Sequence, residues 1–341
     1  MIDPLALHRR LLTLDTHIDI PWPGGADAFT DGPRRVDLPK MRRGHLVAGF
    51  FAAYVPQGPR TAESRAAALA RALAMLAAIR GMESDAAGFP VRLCTTAAEI
   101  RAAHAAGAIG VVPAIENGHA IAADLANLAR FRALGARYVT LCHNGHNDLC
   151  DSAHPRADLG DPAVLHQGLS ELGRAAIAEM NRLGMMVDVS HLSRTAMLQA
   201  AMVSRTPVVA THSCVSALCD VPRNMDDRQL DALRDVGGVI QITAVSAFLR
   251  PRARPEEVSV ADFCDHVDYA VRRIGLGHVG ISSDFDGGGG FTGWRDAGES
   301  ANLTAELVRR GYGETEIGQL WGGNFLRVME QAEQVAEAGA A

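Results

Sequence analysis

The sequence predicts an α/β fold: a single (β/α)8 TIM-type barrel over residues 1–341, with one additional C-terminal helix. Three observations lead there. Eight short runs are rich in Val, Ile and Leu without clean alternation, as buried parallel strands are. Helical patterns separate them, which is the βαβα order of a barrel. His, Asp or Glu closes several of the runs, at the strand end where a barrel builds its site.

The expected strands are 11–20, 46–55, 109–115, 138–142, 185–190, 207–211, 238–245 and 279–283. Thr61 starts an Ala-rich helix that runs to about Met82. Thr96 and Glu99 have capping-box spacing, with Gly107 as a stop signal. Ser170 is an N-cap for the amphipathic stretch that ends at Gly184. The last helix, around 314–335, is expected on the barrel exterior. A doubly wound open sheet is the rival fold, but no G-x-G-x-x-G follows the first run. The run Gly287–Gly290 reads as a mobile loop after the last strand.

Composition narrows the function. At 48% hydrophobic and 21% charged, the chain is ordinary globular material. A net charge of −6 offers no basic surface for nucleic acid, so none is expected as a partner. No run reaches the roughly 18 apolar residues of a membrane span, and none is expected. The N-terminal stretch lacks a signal-peptide pattern, which makes the cytoplasm the expected location. The six cysteines form no CxxC pair and are expected as free, buried thiols.

The chemistry lies at the strand ends. His17 and Asp19 are two apart on the first run and so share a face. Glu116 closes the third run, His191 the fifth, His212 the sixth and Asp284 the eighth. One such residue would ordinarily be structural, but several in register form a metal-binding pattern. Imidazole and carboxylate without thiolate suit zinc or a similar divalent ion. The set exceeds one tetrahedral shell, which points to two ions and a bridging anion. The only lysine, Lys40, is not at a strand end, so Glu116 is the better bridge.

These stretches resemble the renal (membrane) dipeptidase family of zinc metallopeptidases, within the amidohydrolase superfamily. The resemblance runs through Leu14-Asp-Thr-His-Ile-Asp-Ile-Pro21, Ile115-Glu-Asn-Gly-His119 and Tyr138-Val-Thr-Leu-Cys-His143-Asn. It continues through Asn181-Arg-Leu-Gly-Met-Met-Val-Asp-Val-Ser-His191, Pro207-Val-Val-Ala-Thr-His-Ser213, Arg223-Asn224 and Asp284-Phe-Asp-Gly287. It implies two Zn2+ per chain: His17 and Asp19 on one ion, His191 and His212 on the other, Glu116 bridging. It further implies that His143 sits beside the scissile carbonyl, Arg223 grips the substrate carboxylate and Asp284 moves protons. The implied reaction is hydrolysis of dipeptides, L-Xaa-D-Xaa included, by a hydroxide between the ions. Dimers are common in the family, so a homodimer is possible on the same ground.

The stretch Thr243-Ala-Val-Ser-Ala-Phe248 lacks the tyrosine many members carry after the seventh strand, which leaves side-chain preference open. An N-acyl amino acid amidohydrolase using the same site is the alternative. A metal-dependent binding protein is a third reading, but it would need no proton shuttle such as Asp284. His119, His146, Asp15 and Asp188 are candidates for supporting roles behind the metal ligands, and Asp286 is a lesser candidate than Asp284. His8, His45, His104, His154, His166, His266 and His278 read as surface or helix residues.

Overall fold

The computed structural model describes residues 3–20, 27–85 and 88–340; Pro21 of the first motif lies outside them. Nine parallel strands form one sheet: β1 (Leu14–Asp19), β2 (Ala48–Tyr54), β3 (Val91–Leu93), β4 (Ile109–Glu116), β5 (Tyr138–Thr140), β6 (Met186–Asp188), β7 (Val209–Ser213), β8 (Val239–Ile242) and β9 (Val279–Ile281). All but β3 follow one another in sequence order around the sheet. The segment after β9 returns to β1: Ile18 bridges Phe285 in parallel, Asp19 N donates to Phe285 O, and Asp284 N donates to His17 O. This is a barrel and not an open doubly wound sheet, as the strand ends and helical spacers predict. β3 is the addition. It is three residues long, pairs with β4 alone among the described strands, and is too short to read as an apolar run.

The helix signals act where the sequence puts them. Thr96 caps Ala97–Ala105 with a complete capping box. Ser170 caps Glu171–Leu183, which Gly184 ends at φ 67°. Thr61 caps Ala62–Arg80.

Side chains alternate across each strand. Leu14, Phe50, Val112, Ala114, Tyr138, Met186, Val209 and Val239 pack together inside the barrel. Their neighbours Phe51, Val111, Val139, Val187 and Ile240 pack outward against the helices. The C-terminal helix Asn324–Ala340 corrects the sequence reading. Phe325, Leu326 and Met329 join the inner cluster, and Arg327 and Asn324 bond backbone carbonyls just before β8 and around the start of β9. The helix closes the N-terminal mouth of the barrel, because those inward residues would otherwise face water. No helix among the described residues is long and apolar enough to cross a membrane.

β1 and β7 each carry a bulge, a rare device between parallel strands. On β1 the pairing jumps from Asp15↔Gly49 to Ile18↔Phe51, and on β7 from Ala210↔Ile240 to Ser213↔Ile242. Each bulge shifts the inward parity by one residue. Leu14 and Val209 therefore face the core while His17 and His212 face inward above them.

Candidate active site

The strand C-termini open into a cavity of about 320 Å3. Asp19, Glu116, His143, His191, His212, Arg223 and Asp284 line it, and His17 lies fully buried beneath. The structure thus brings together all eight residues that the sequence selected. His17, Asp19, Glu116 and His212 lie within strands; His143, His191 and Asp284 lie a few residues past β5, β6 and β9. His191 and Asp284 adopt left-handed backbone, φ 68° and 56°. Such strain in non-glycine residues concentrates at functional sites.

Glu116 is central. Its Oε2 lies 3.5 Å from His17 Nε2, which is 3.5 Å from Asp19 Oδ1. Its Oε1 lies 3.2 Å from His191, 3.4 Å from His212 and 3.7 Å from His143, at Nε2 in each case. Glu116 belongs to both three-residue groups whose ligand atoms lie close enough for one ion: with His17 and His212, and with His143 and His191.

The outer nitrogens fix the tautomers. Tyr138 Oη donates to Thr16 O, so it accepts from His17 Nδ1–H at 2.9 Å. Thr211 Oγ1 donates to Asp188 Oδ2, so it accepts from His212 Nδ1–H at 2.9 Å. Asn144 Oδ1 is an acceptor 3.3 Å from His191 Nδ1. Each imidazole therefore turns an Nε2 lone pair toward the carboxylates. His17 Nε2 and Asp19 Oδ1 are buried without a hydrogen-bond partner. This donor set fits divalent cations, since converging lone pairs and carboxylates repel one another without positive charge.

Proton affinities reflect the same crowding. Burial alone would raise the Glu116 carboxyl, but the His17 and His143 imidazoles outweigh it and hold it well below the usual range. Burial, with Glu116 beside it, pushes Asp19 up to about 6. Burial drives Asp284 well above its usual value; Asp19 and Glu116 add to the rise against His17. Burial lowers His212 to about 3 and, with Arg223, sends His191 well below its usual value. Burial would also lower His17, yet its surroundings at Tyr138 and Glu116 raise it.

Arg223 is only 5% exposed. It donates to His212 O at 3.0 Å, lies 5.3 Å from the Phe248 ring centroid, and leaves Nε without a partner. Among the described residues no carboxylate lies within ion-pair distance of it. Asn224 holds this arrangement by donating to Cys219 O and Phe248 O.

Several expectations change. Gly287–Gly290 is a packed turn and not a mobile loop: Gly287, Gly288 and Gly289 all donate to Asp284 O. A Cβ on Gly287 would stand 2.4 Å from Asp284 Oδ1 and 2.5 Å from Asp19 Oδ2. Asp286 accepts from Arg35 N and Val36 N, which clamps that segment to the turn. His119 bonds Ser64 and His146 bonds Pro162 O and Ser152 N, and neither contacts a candidate ligand. Tyr138, Thr211 and Asn144 do so instead. Asp188 supports His212 through Thr211, and Asp15 accepts from His17 N and Ser283 N. His8 and His266 are buried in helices, and His154 lines the cavity. Lys40 pairs with Asp31 and Asp37, away from the cavity. All six cysteines are free and buried.

The family model for membrane dipeptidases, peptidase family M19, matches residues 4–341. The chain belongs to that family. It is therefore a member of a metallo-dipeptidase family of hydrolases. It is 33% identical to Dipeptidase aclJ of Aspergillus oryzae over 91% of this chain and 74% of that one. It is 32% identical to Dipeptidase 3 of Rattus norvegicus over 98% and 67%. Among solved structures, the probable dipeptidase PvdM of Pseudomonas aeruginosa superposes with a TM-score of 0.92 at 30% identity, covering 98% of both chains. A metallopeptidase of Rhodobacter sphaeroides, liganded with a phosphinate mimic of the dipeptide L-Ala-D-Ala, gives 0.82 at 30% identity, covering 94% and 99%.

Proposed function

We propose that this family member is a binuclear zinc dipeptidase that hydrolyses the amide bond of dipeptides, L-Xaa-D-Xaa among them. The observation that carries the reading is the split of Glu116, with Oε2 toward His17, beside which Asp19 lies, and Oε1 toward His191 and His212. His17 and Asp19 would hold one ion, His191 and His212 the other, with Glu116 between them. Imidazole and carboxylate without thiolate favour zinc. When bound, two such ions supply Lewis acidity toward the scissile carbonyl and a water nucleophile near neutral pH.

The remaining steps belong to side chains. Asp284 takes the proton from the attacking water and returns it to the leaving amine. His143, whose proton affinity burial lowers, donates to the carbonyl oxygen as charge develops there. Arg223 grips the C-terminal carboxylate through a planar fork. The ligand of the Rhodobacter structure supports a D-residue at the C-terminal position.

Zinc-loaded protein should cleave dipeptides, including L-Xaa-D-Xaa, and spare their C-terminal amides. Equal kcat/KM on both would overturn the carboxylate clamp, and no cleavage across a stereochemically complete panel would overturn the activity. One observation favours a second substrate class. Asp19 and Glu116 are engaged with the histidine cluster, as is Asp284 with His17, while Tyr54, Val245 and Phe248 supply apolar lining. No uncommitted carboxylate among the described cavity residues awaits a substrate ammonium, so N-acyl amino acids belong in the same assay.

A further inference from the structure

We infer that His154 is a substrate-binding residue that forms, with Arg223, a two-pronged subsite for the substrate carboxylate. The inference rests on the proposed hydrolysis of a substrate with a free C-terminal carboxylate, and it adds a residue that the metal cluster does not require.

His154 and Arg223 line the same cavity. The His154 ring makes no hydrogen bond to any described residue, and it belongs to neither group able to hold an ion. Its backbone, by contrast, is fixed. Gly145 N donates to His154 O at 2.7 Å, and His154 N donates to Ser152 Oγ at 3.1 Å. Ser152 Oγ donates in turn to His143 O at 2.6 Å. The segment thus folds back on the β5 end and delivers an unengaged imidazole beside the site. Gly145 permits this at φ 108°; a side chain there would meet Gln57 and Arg156.

The electrostatics agree. Burial and then the Arg223 charge lower the proton affinity of His154. Both side chains line the same cavity, and no described carboxylate pairs with either. A neutral imidazole still has one N–H to donate. A carboxylate offers two oxygens, and a buried guanidinium and an unpaired imidazole N–H that line one cavity offer a donor to each.

The test compares zinc-loaded wild type, His154→Ala and His154→Gln on a dipeptide and its C-terminal amide. His154→Ala should raise KM for the dipeptide roughly tenfold with kcat within about twofold, as loss of one hydrogen bond to a charged group does. The low residual kcat/KM on the amide should not fall further, and the Gln variant, which keeps an N–H, should recover most of the affinity for the dipeptide. Unchanged dipeptide kinetics in His154→Ala, or equal losses on dipeptide and amide, would overturn the inference. If wild type cleaves no dipeptide, the reading of function fails separately. NMR titration with D-alanine and D-alaninamide then decides on His154: Kd for the acid alone should weaken about tenfold in His154→Ala, and equal affinities in wild type and variant would reject the subsite.

Discussion

His191 Nε2 lies 2.9 Å from His212 Nε2, and both nitrogens present lone pairs because their Nδ1 protons are committed to Asn144 and Thr211. Two lone pairs at that distance, above the Glu116 carboxylate, are an unfavourable arrangement in a bare protein. Zinc should therefore stabilise the fold strongly, by about 3 kcal/mol at a hundredfold excess over Kd. Differential scanning of chelated and zinc-supplemented protein would show it as a raised Tm. Glu116→Gln removes the shared charge, and elemental analysis of that variant should find at most about half the metal that the wild type retains.

Thr211→Val keeps shape and removes the hydroxyl between Asp188 and His212. The His212 tautomer is then unfixed, and Asp188 loses a donor. Metal affinity should fall roughly 10- to 100-fold, as it does when such supporting groups are lost. Competition with a chromophoric chelator measures this directly. Unchanged affinity would mean that the Thr211 bond does not orient the ring.

Asp284→Asn should retain metal and fold but lose roughly 100- to 10,000-fold in kcat, the range for removing a general acid–base group. Metal analysis and turnover on the same preparation separate this outcome from loss of the site. Full activity in the Asn variant would reassign proton transfer elsewhere.

Away from the site, His8 is fully buried between Thr304 and the Gly44 carbonyl, and burial lowers it to about 4. The unfolded chain binds this proton near pH 6.5 and the folded chain only near 4. Stability from His8 is thus fully present above pH 6.5 and declines as pH falls toward 4, by up to about 3 kcal/mol. Denaturant titrations at pH 7 and 5 should show a smaller drop in His8→Gln than in wild type. Equal drops would show that His8 is not the group responsible.

Much of this was legible because apolar runs ending in His, Asp or Glu are costly unless something is bound there. The barrel strands and six of the eight site residues follow from that pattern; His143 and Arg223 come only from the family resemblance. What stayed hidden depends on the third dimension. Tyr138 and Thr211 read as ordinary strand residues, since nothing in sequence tells which hydroxyl will meet a histidine from another strand. His154 follows no apolar run and comes close only because its segment folds back. The glycine run looks like slack chain until three N–H groups are seen converging on the Asp284 carbonyl.

The bulges in β1 and β7 have a consequence for variation. In a regular strand the inward positions share one parity, so packing at the bottom and chemistry at the top are read in a single frame. A one-residue step between Asp15 and Ile18, and another between Ala210 and Ser213, separates the two frames. The lower half can exchange hydrophobes without moving His17 or His212 out of phase. The same step makes these strands intolerant of length change: one residue lost at either bulge would leave the core intact and turn a histidine toward the helices.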